Sequence, residues 1–268
     1  MEQFDYESKV WGANHVRVTP LYLGALRLRY CLADLKQVRG KVLDLGCGGG
    51  GMSRAIKHYR PDMDVYGADI STSAIHLSKK NPEGVHFVVS DIYDLSFPDK
   101  TFDAVVMFDL LEHLDKPKKA LAEIARVLKP GGLFHSYTPC EGEISNYDFW
   151  LRKFGWHGKA VYAGHIQKFK ASNLEVMLRS AGFVPYQKRW SNHFWNQLFD
   201  SAYFLLLSVR GRNAGYSLEG YVASGKKTAT KGVMGVFVKL VAILTYLESR
   251  TLTKVPGHGV HLSVIKKQ

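Results

Sequence analysis

Between Lys41 and Gly51 the chain reads KVLDLGCGGGG, and few sequences of that length restrict a fold so tightly. Val42, Leu43 and Leu45 suit a short strand buried on both faces. The glycines then end it, and MSRAIKHY from Met52 has the spacing of a helix. A strand that runs through glycines into a helix lets the backbone approach a ligand closely, because glycine lacks Cβ and tolerates φ > 0. Gly46, Gly48 and Gly51 make GxGxxG, while Gly46, Gly48 and Gly50 make GxGxG. Asp44, at the end of the strand, repels a pyrophosphate but pairs with a cationic ligand.

These residues resemble the first motif of the class I S-adenosylmethionine-dependent methyltransferases. The resemblance spans roughly Lys41 to Gly182 and includes the phrase RVLKPGGLF at Arg126–Phe134. S-adenosylmethionine has no phosphate and carries a sulfonium and an ammonium, which Asp44 suits. A flavin or nicotinamide domain is the competing reading of the glycines. Asp64–Ile70 reads as the second strand, and Asp69 lies 23 residues after Gly46, where a Rossmann-like domain places the acid for ribose hydroxyls. Ser71 caps the helix Thr72–Lys80. Val85–Val89 is the third strand and Ala104–Phe108 the fourth. The resemblance implies cofactor-binding roles for Asp44, Gly46, Cys47, Gly48, Asp69, Ile70, Asp91, Ile92, Asp109 and Leu110. Asp91 would meet the adenine amino group and Ile92 its ring, while Cys47 is most simply a small apolar filler.

The segment Asp109–Leu114, DLLEHL, follows the fourth strand, where carboxyl ends of parallel strands open onto a site. As a helical turn it would place Asp109, Glu112 and His113 on one face. Three readings stand. Asp109 and Leu110 belong to the cofactor shell with Glu112 and His113 as supports. Or His113 is a general base, its ordinary pKa suiting proton removal near neutrality. Or Asp109, Glu112 and His113 hold a divalent metal, as the resemblance to ubiquinone-pathway O-methyltransferases with Glu-x-x-Glu-His implies; Asp replaces the first Glu here, and no metal is assigned. His165, in GHIQKF, matches a histidine of some quinone O-methyltransferases and is the other candidate base.

Leu21–Val38 has helical spacing behind Pro20 and in this family would cap the cofactor site. Arg17 or Arg27 could then reach the methionyl carboxylate, or each is simply solvated. Lys118–Leu128 reads as an amphipathic helix stopped by Lys129-Pro130-Gly131-Gly132, and Leu133–Thr138 as the fifth strand. The aromatic stretch Pro139–Gln167 has the length of a lid or substrate wall. Ala171–Ala181 is a helix, Phe183–Trp190 the sixth strand and Gly259–Lys266 the last, antiparallel in this fold. Between those two strands lie apolar blocks at Phe194–Val209 and Gly232–Leu247, joined by a Gly/Ser/Lys linker at Gly211–Lys231. Each is too short and interrupted to span a membrane. They pack on the sheet or across a dimer, or lie in the headgroup boundary with flanking Lys and Arg on anionic lipid.

The expected fold is α/β: a Rossmann-like, seven-stranded, mostly parallel sheet flanked by helices, with a lid insertion and a helical insertion before the last strand. Residues 1–40 would form an N-terminal cap, 41–190 the S-adenosylmethionine-binding core with the lid at 139–168, 191–257 the helical insertion and 258–268 the last strand. Three scattered cysteines (Cys31, Cys47, Cys140) speak against a disulfide framework or zinc site and for a reducing compartment. The polar, acidic start at Met1–Lys9 lacks a signal pattern, so the expected location is cytoplasmic, with peripheral membrane contact through the insertion. Residues 1–150 hold 18 Lys+Arg against 20 Asp+Glu, whereas residues 151–268 hold 18 against 4, a basic half that points to an anionic partner. The expected function is methyl transfer from S-adenosyl-L-methionine to a hydroxyl of a hydrophobic or lipid-like molecule at a membrane surface. An RNA or protein methyltransferase is the alternative, though no RNA-binding module is recognisable; a non-catalytic cofactor-binding partner subunit is the third option.

Overall fold

The computed structural model describes residues 16–22, 24–210 and 233–268. Residues 1–15 of the expected N-terminal cap and the linker Gly211–Lys231 lie outside the described residues. Seven strands form one sheet in the order β3-β2-β1-β4-β5-β7-β6. They are β1 Lys41–Leu45, β2 Asp64–Asp69, β3 Val85–Val89, β4 Phe102–Phe108, β5 Leu128–Pro139, β6 Phe183–Ser191 and β7 Gly259–Lys266. β7 pairs antiparallel with both β5 and β6, and the other pairings are parallel. The expected seven-stranded sheet is therefore present, with its last strand inserted antiparallel.

Alternation along the central strands builds the two faces. Val105 and Met107 of β4 enter a core with Leu121 and Ile124 of helix α4 (Pro117–Val127) and Leu174 and Leu178 of α7 (Ala171–Ser180). Ala104 and Val106 enter the opposite core, with Leu28 of α1 (Ala25–Asp34), Ile56 of α2 (Gly51–Tyr59) and Ile75 of α3 (Thr72–Lys79). A strand covered on both faces must be apolar on both, hence the unbroken run AVVMF.

Two elements differ most from their sequence expectation. β5 begins at Leu128, not Leu133, because Leu128 already pairs with Phe102. The next pair is Ala104 with Leu133, so Lys129–Gly132 bulges within the ladder and does not terminate it, with Gly131 at φ +75°. The first helix spans only Ala25–Asp34, followed by a 3₁₀ turn at Leu35–Gln37. Thr19–Tyr22 forms a turn before it, and Asp34 at its end points into the protein.

Asp34 pins that helix to the sheet. Its Oδ2 accepts from Ser263 Oγ at 2.5 Å and lies 3.0 Å from His135 Nδ1, and Arg189 Nη1 reaches Oδ1 at 2.8 Å. Arg27 is two turns earlier on the same helix, so the pin also sets where Arg27 stands. Removing one partner of a buried charged network leaves the others uncompensated. Asp34→Ala should cost about 3–5 kcal/mol in urea unfolding; a loss below about 1 kcal/mol would mean that α1 is held elsewhere.

Candidate active site

Four neighbouring parallel strands, β3-β2-β1-β4, deliver acids at their carboxyl ends. Asp44 lies in β1, Asp69 ends β2, Asp91 follows β3 by two residues and Asp109 follows β4 by one. The sheet order reverses between β1 and β4, the usual place for a ligand crevice in such folds. Ile70 and Ile92 accompany Asp69 and Asp91; Ile70 is exposed and Ile92 half-buried.

The glycine loop occupies the crevice floor. Gly46, Gly48 and Gly50 have φ of +70°, +49° and +77°, which β-carbons disfavour. Leu110 packs down on the loop, so a β-carbon at Gly46 would meet its Cδ2 at 2.9 Å. The amides of Gly46 and Cys47 both donate to Ala68 O, and Gly48 N–H donates to Asp69 Oδ2 at 2.8 Å. Asp69 Oδ1 accepts from Ser71 N–H, and Ser71 Oγ caps α3 through Ala74 N–H. Asp69 thus holds the loop, and an ionised carboxylate has lone pairs to spare for hydroxyls. Asp91 Oδ1 accepts from Tyr93 N–H.

Asp44 is the electrostatic anomaly. Its side chain is almost wholly buried, and its Oδ2 accepts from Ser53 Oγ at 2.5 Å. Burial pushes its pKa from 3.8 to about 7, against the Ser53 hydrogen bond and with the Asp69 charge adding to the rise. Two carboxyls beside a loop of positive-φ glycines make a fit for a cationic, phosphate-free ligand such as S-adenosylmethionine. They suit a pyrophosphate poorly.

Asp109 lies just past the end of β4 but not on a helical face with Glu112 and His113. It adopts φ +48° and turns toward α1, where Arg27 pairs with it through Nε at 3.0 Å and Nη2 at 3.2 Å. The Arg27 guanidinium also lies 4.4 Å from the Tyr137 ring centroid. The following turn, Leu111–His113, is 3₁₀, so Asp109 does not share a helical face with Glu112 and His113. Arg27 is accordingly a crevice residue through Asp109.

Instead the fold brings His165 to Glu112 and His113. One ligand atom from each lies within 4.8 Å of the others, an N/O set that could hold a divalent cation. Both Glu112 carboxyl oxygens are buried and have no hydrogen-bond partner among the described residues. Burial, with the Asp109 charge adding, raises the Glu112 carboxyl well above its usual range. The His113 and His165 rings meet edge to face, 4.9 Å apart. Burial and then the neighbouring His165 charge lower His113 to about 3, although its Nδ1 lies 3.2 Å from Gly164 O. The carbonyl of Glu112 accepts from the amides of Ile166 and Gln167, lacing the lid to the turn after β4.

His165 Nδ1 lies 2.6 Å from Glu141 Oε1. Burial alone would raise Glu141, but the charges of His165, Lys159 and Lys168 hold it well below its usual range. Lys159, on the lid helix α6 (Gly158–Tyr162), is buried and reaches Asp200 Oδ2 at 2.9 Å and His258 Nε2 at 2.6 Å. Asp200 belongs to α8 (Phe194–Arg210), so this network joins the lid to the insertion. Sequence reasoning overlooked Glu141, although it follows the carboxyl end of β5 by two residues, the same signal that marked Asp91. Lys159 and His258 carried no local signal.

Residues 19–188 match the family described as "Methyltransferase domain". Over 114 residues, 41% of each chain, the sequence is 39% identical to the fatty-acid O-methyltransferase of Mycolicibacterium smegmatis. It is 31% identical over 142 residues to the ubiquinone biosynthesis O-methyltransferase of Coxiella burnetii, covering 51% of this chain and 60% of that one. The chain thus spans about half the length of these curated relatives. Among solved structures, phosphoethanolamine N-methyltransferase 2 of Haemonchus contortus, bound to S-adenosylhomocysteine and phosphomonomethylethanolamine, superposes with a TM-score of 0.56 at 17% identity. That match covers 98% of this chain and 57% of the other, and it speaks to the fold.

The raised Asp44 pKa has a signed consequence. A carboxyl whose folded pKa exceeds its unfolded value of 3.8 contributes stability that is fully present below about pH 4 and lost as pH rises through about 7. Asp44→Asn removes that loss. Without ligand, its melting temperature relative to the parent should climb between about pH 4 and about pH 7 and then level off; a constant or falling difference over that range would contradict the assignment.

Proposed function

The chain belongs to the class I S-adenosylmethionine-dependent methyltransferases, matched through its methyltransferase domain at residues 19–188, and on that premise we propose that it methylates a hydroxyl of a hydrophobic or lipid-like small molecule at a membrane surface. S-adenosylmethionine supplies a methyl group already activated on a sulfonium. Asp44 offers that cation a buried carboxylate, and Asp69 accepts from ribose hydroxyls. Ile70, Asp91 and Ile92 take the adenine, and Gly46, Cys47 and Gly48 let the backbone come close. Asp109, set by Arg27, and Leu110 close the crevice from the β4 side.

A hydroxyl acceptor must also lose its proton. The observation that carries this reading is the 2.6 Å contact between His165 and Glu141. In the neutral form of His165, with Nδ1–H donated to that carboxylate, Nε2 keeps a lone pair for the acceptor proton. His113, lowered to about 3, stays neutral and is a weak base, so its part is to brace the lid through Gly164. The exposed apolar lid residues Ile144, Trp150, Phe154, Val161 and Ile166 support a hydrophobic acceptor. The names of the fatty-acid and ubiquinone O-methyltransferases agree with that class.

One observation favours a second reading: the Glu112 oxygens, without a hydrogen-bond partner among the described residues, lie beside two histidines. Glu112, His113 and His165 would then hold a divalent cation, which would lower the hydroxyl's pKa so that solvent takes its proton without a protein base. Chelation separates the two. Turnover that survives chelator treatment fits the Glu141–His165 base, and turnover lost and restored by added cation fits the metal.

The experiment is transfer of a radiolabelled methyl group into a membrane extract, followed by partition between organic and aqueous phases. The label should enter the organic phase. His165→Ala should lower turnover by about 10²–10⁴-fold, with cofactor affinity little changed. Label confined to aqueous macromolecules would replace this reading with an RNA or protein acceptor.

A further inference from the structure

The outer side of the helical insertion is apolar without a covering partner among the described residues. α8 exposes Phe194, Leu198, Leu205 and Leu206, at spacings that return to one helical face. The next helix, α9 (Val233–Thr251), exposes Val236, Phe237, Leu240 and Leu247 in the same way. The two helices pack together, with Phe199 edge-on to Phe237 at 5.0 Å. Their inner faces are committed to the body: Phe204, Val241, Ala242 and Tyr246 are buried, and Ser249 accepts from Asn192 N–H and Tyr30 O–H. The sequence alternatives of core packing and interfacial contact therefore concern different faces of the same helices.

Among the described residues, the exposed charges on these helices and just after them are positive. Residues 191–257 as a whole hold eight Lys or Arg and three acids. Two of the acids are used internally, Asp200 by Lys159 and Glu248 by the amides of Phe194 and Trp195. Lys239, between Phe237 and Leu240, is exposed, as are Arg250 and Lys254. The lid continues the surface, because Trp156 Nε1 donates to Ser208 Oγ and Tyr147 N–H to Gln197 Oε1 on α8. Its Phe154 is 84% exposed. Neither helix is long and apolar enough to cross a membrane.

We propose that the outer face of α8 and α9, with Phe154 of the lid, docks on an anionic lipid bilayer, its apolar side chains entering the headgroup boundary and Lys239, Arg250 and Lys254 meeting lipid phosphates and carboxylates. A second copy of the chain is a poorer occupant, since two such faces would bring the same cations together. An anionic membrane complements both the apolar and the charged parts. The inference rests on the hydrophobic-acceptor reading for its purpose, since docking brings the lid to where such an acceptor resides. It does not rest on it for its measurement.

The test is co-sedimentation of the full chain, without cofactor or acceptor, with vesicles of phosphatidylcholine alone or mixed with phosphatidylserine. Binding should require phosphatidylserine and weaken with salt. Lys239→Glu should reduce it by about tenfold or more, and Phe237→Ser with Leu240→Ser should reduce it at unchanged cofactor affinity, which verifies folding. Salt-insensitive or absent binding would overturn the proposal. So would concentration-dependent dimerisation abolished by Phe237→Ser, which would make the face a self-association surface. Vesicle binding with no organic-phase methylation would leave the docking face standing and remove only the acceptor reading.

Discussion

Asp44 is held in the central strand beside β2 and β4, where water cannot reach it, and a second carboxyl on β2 faces the same loop. Nothing among the described residues neutralises Asp44; Ser53 gives it one hydrogen bond. That is a costly place for a charge. Around it stand the positive-φ glycines of the loop and Asp69, whose carboxylate holds the loop through the Gly48 amide. On the proposed reading, the sulfonium or ammonium of S-adenosylmethionine would relieve this electrostatic conflict.

A second, better satisfied charge network lies on the opposite rim. Glu141, Lys159, Lys168, Asp200 and His165 share their charges with little solvent between them. It connects the end of β5, the lid and the insertion, elements far apart in sequence. The lid histidine is therefore positioned by the same groups that seat α8. A buried network of this kind is sensitive to any one member, because the others lose their counter-charge. The insertion and the lid histidine are thus joined through one charge network.

Features carried by local pattern were legible in the sequence. The glycine stretch, the acids at strand ends and the apolar run Ala104–Phe108 each depend on neighbours within a few residues, and the fold places them as read. Features that depend on distant partners were not. The KPGG stretch reads as a stop, but Phe102 recruits Leu128 into the ladder ahead of it. DLLEHL reads as a helical turn, but the positive φ of Asp109 and the pull of Arg27 send that carboxylate to α1. Glu141 sits at a strand end yet meets His165 only after the lid folds back across 24 residues. The insertion helices show one apolar pattern in sequence, and only their packing separates the inner side from the outer.

Calorimetric titration with S-adenosylmethionine near about pH 6.5, in two buffers of different ionisation enthalpy, tests the conflict at Asp44 most directly. Binding should depend on buffer because the cationic ligand drives a proton off Asp44, and Asp44→Asn should bind without that release. Buffer-independent heat in the parent chain, or the same proton release in the variant, would contradict the account.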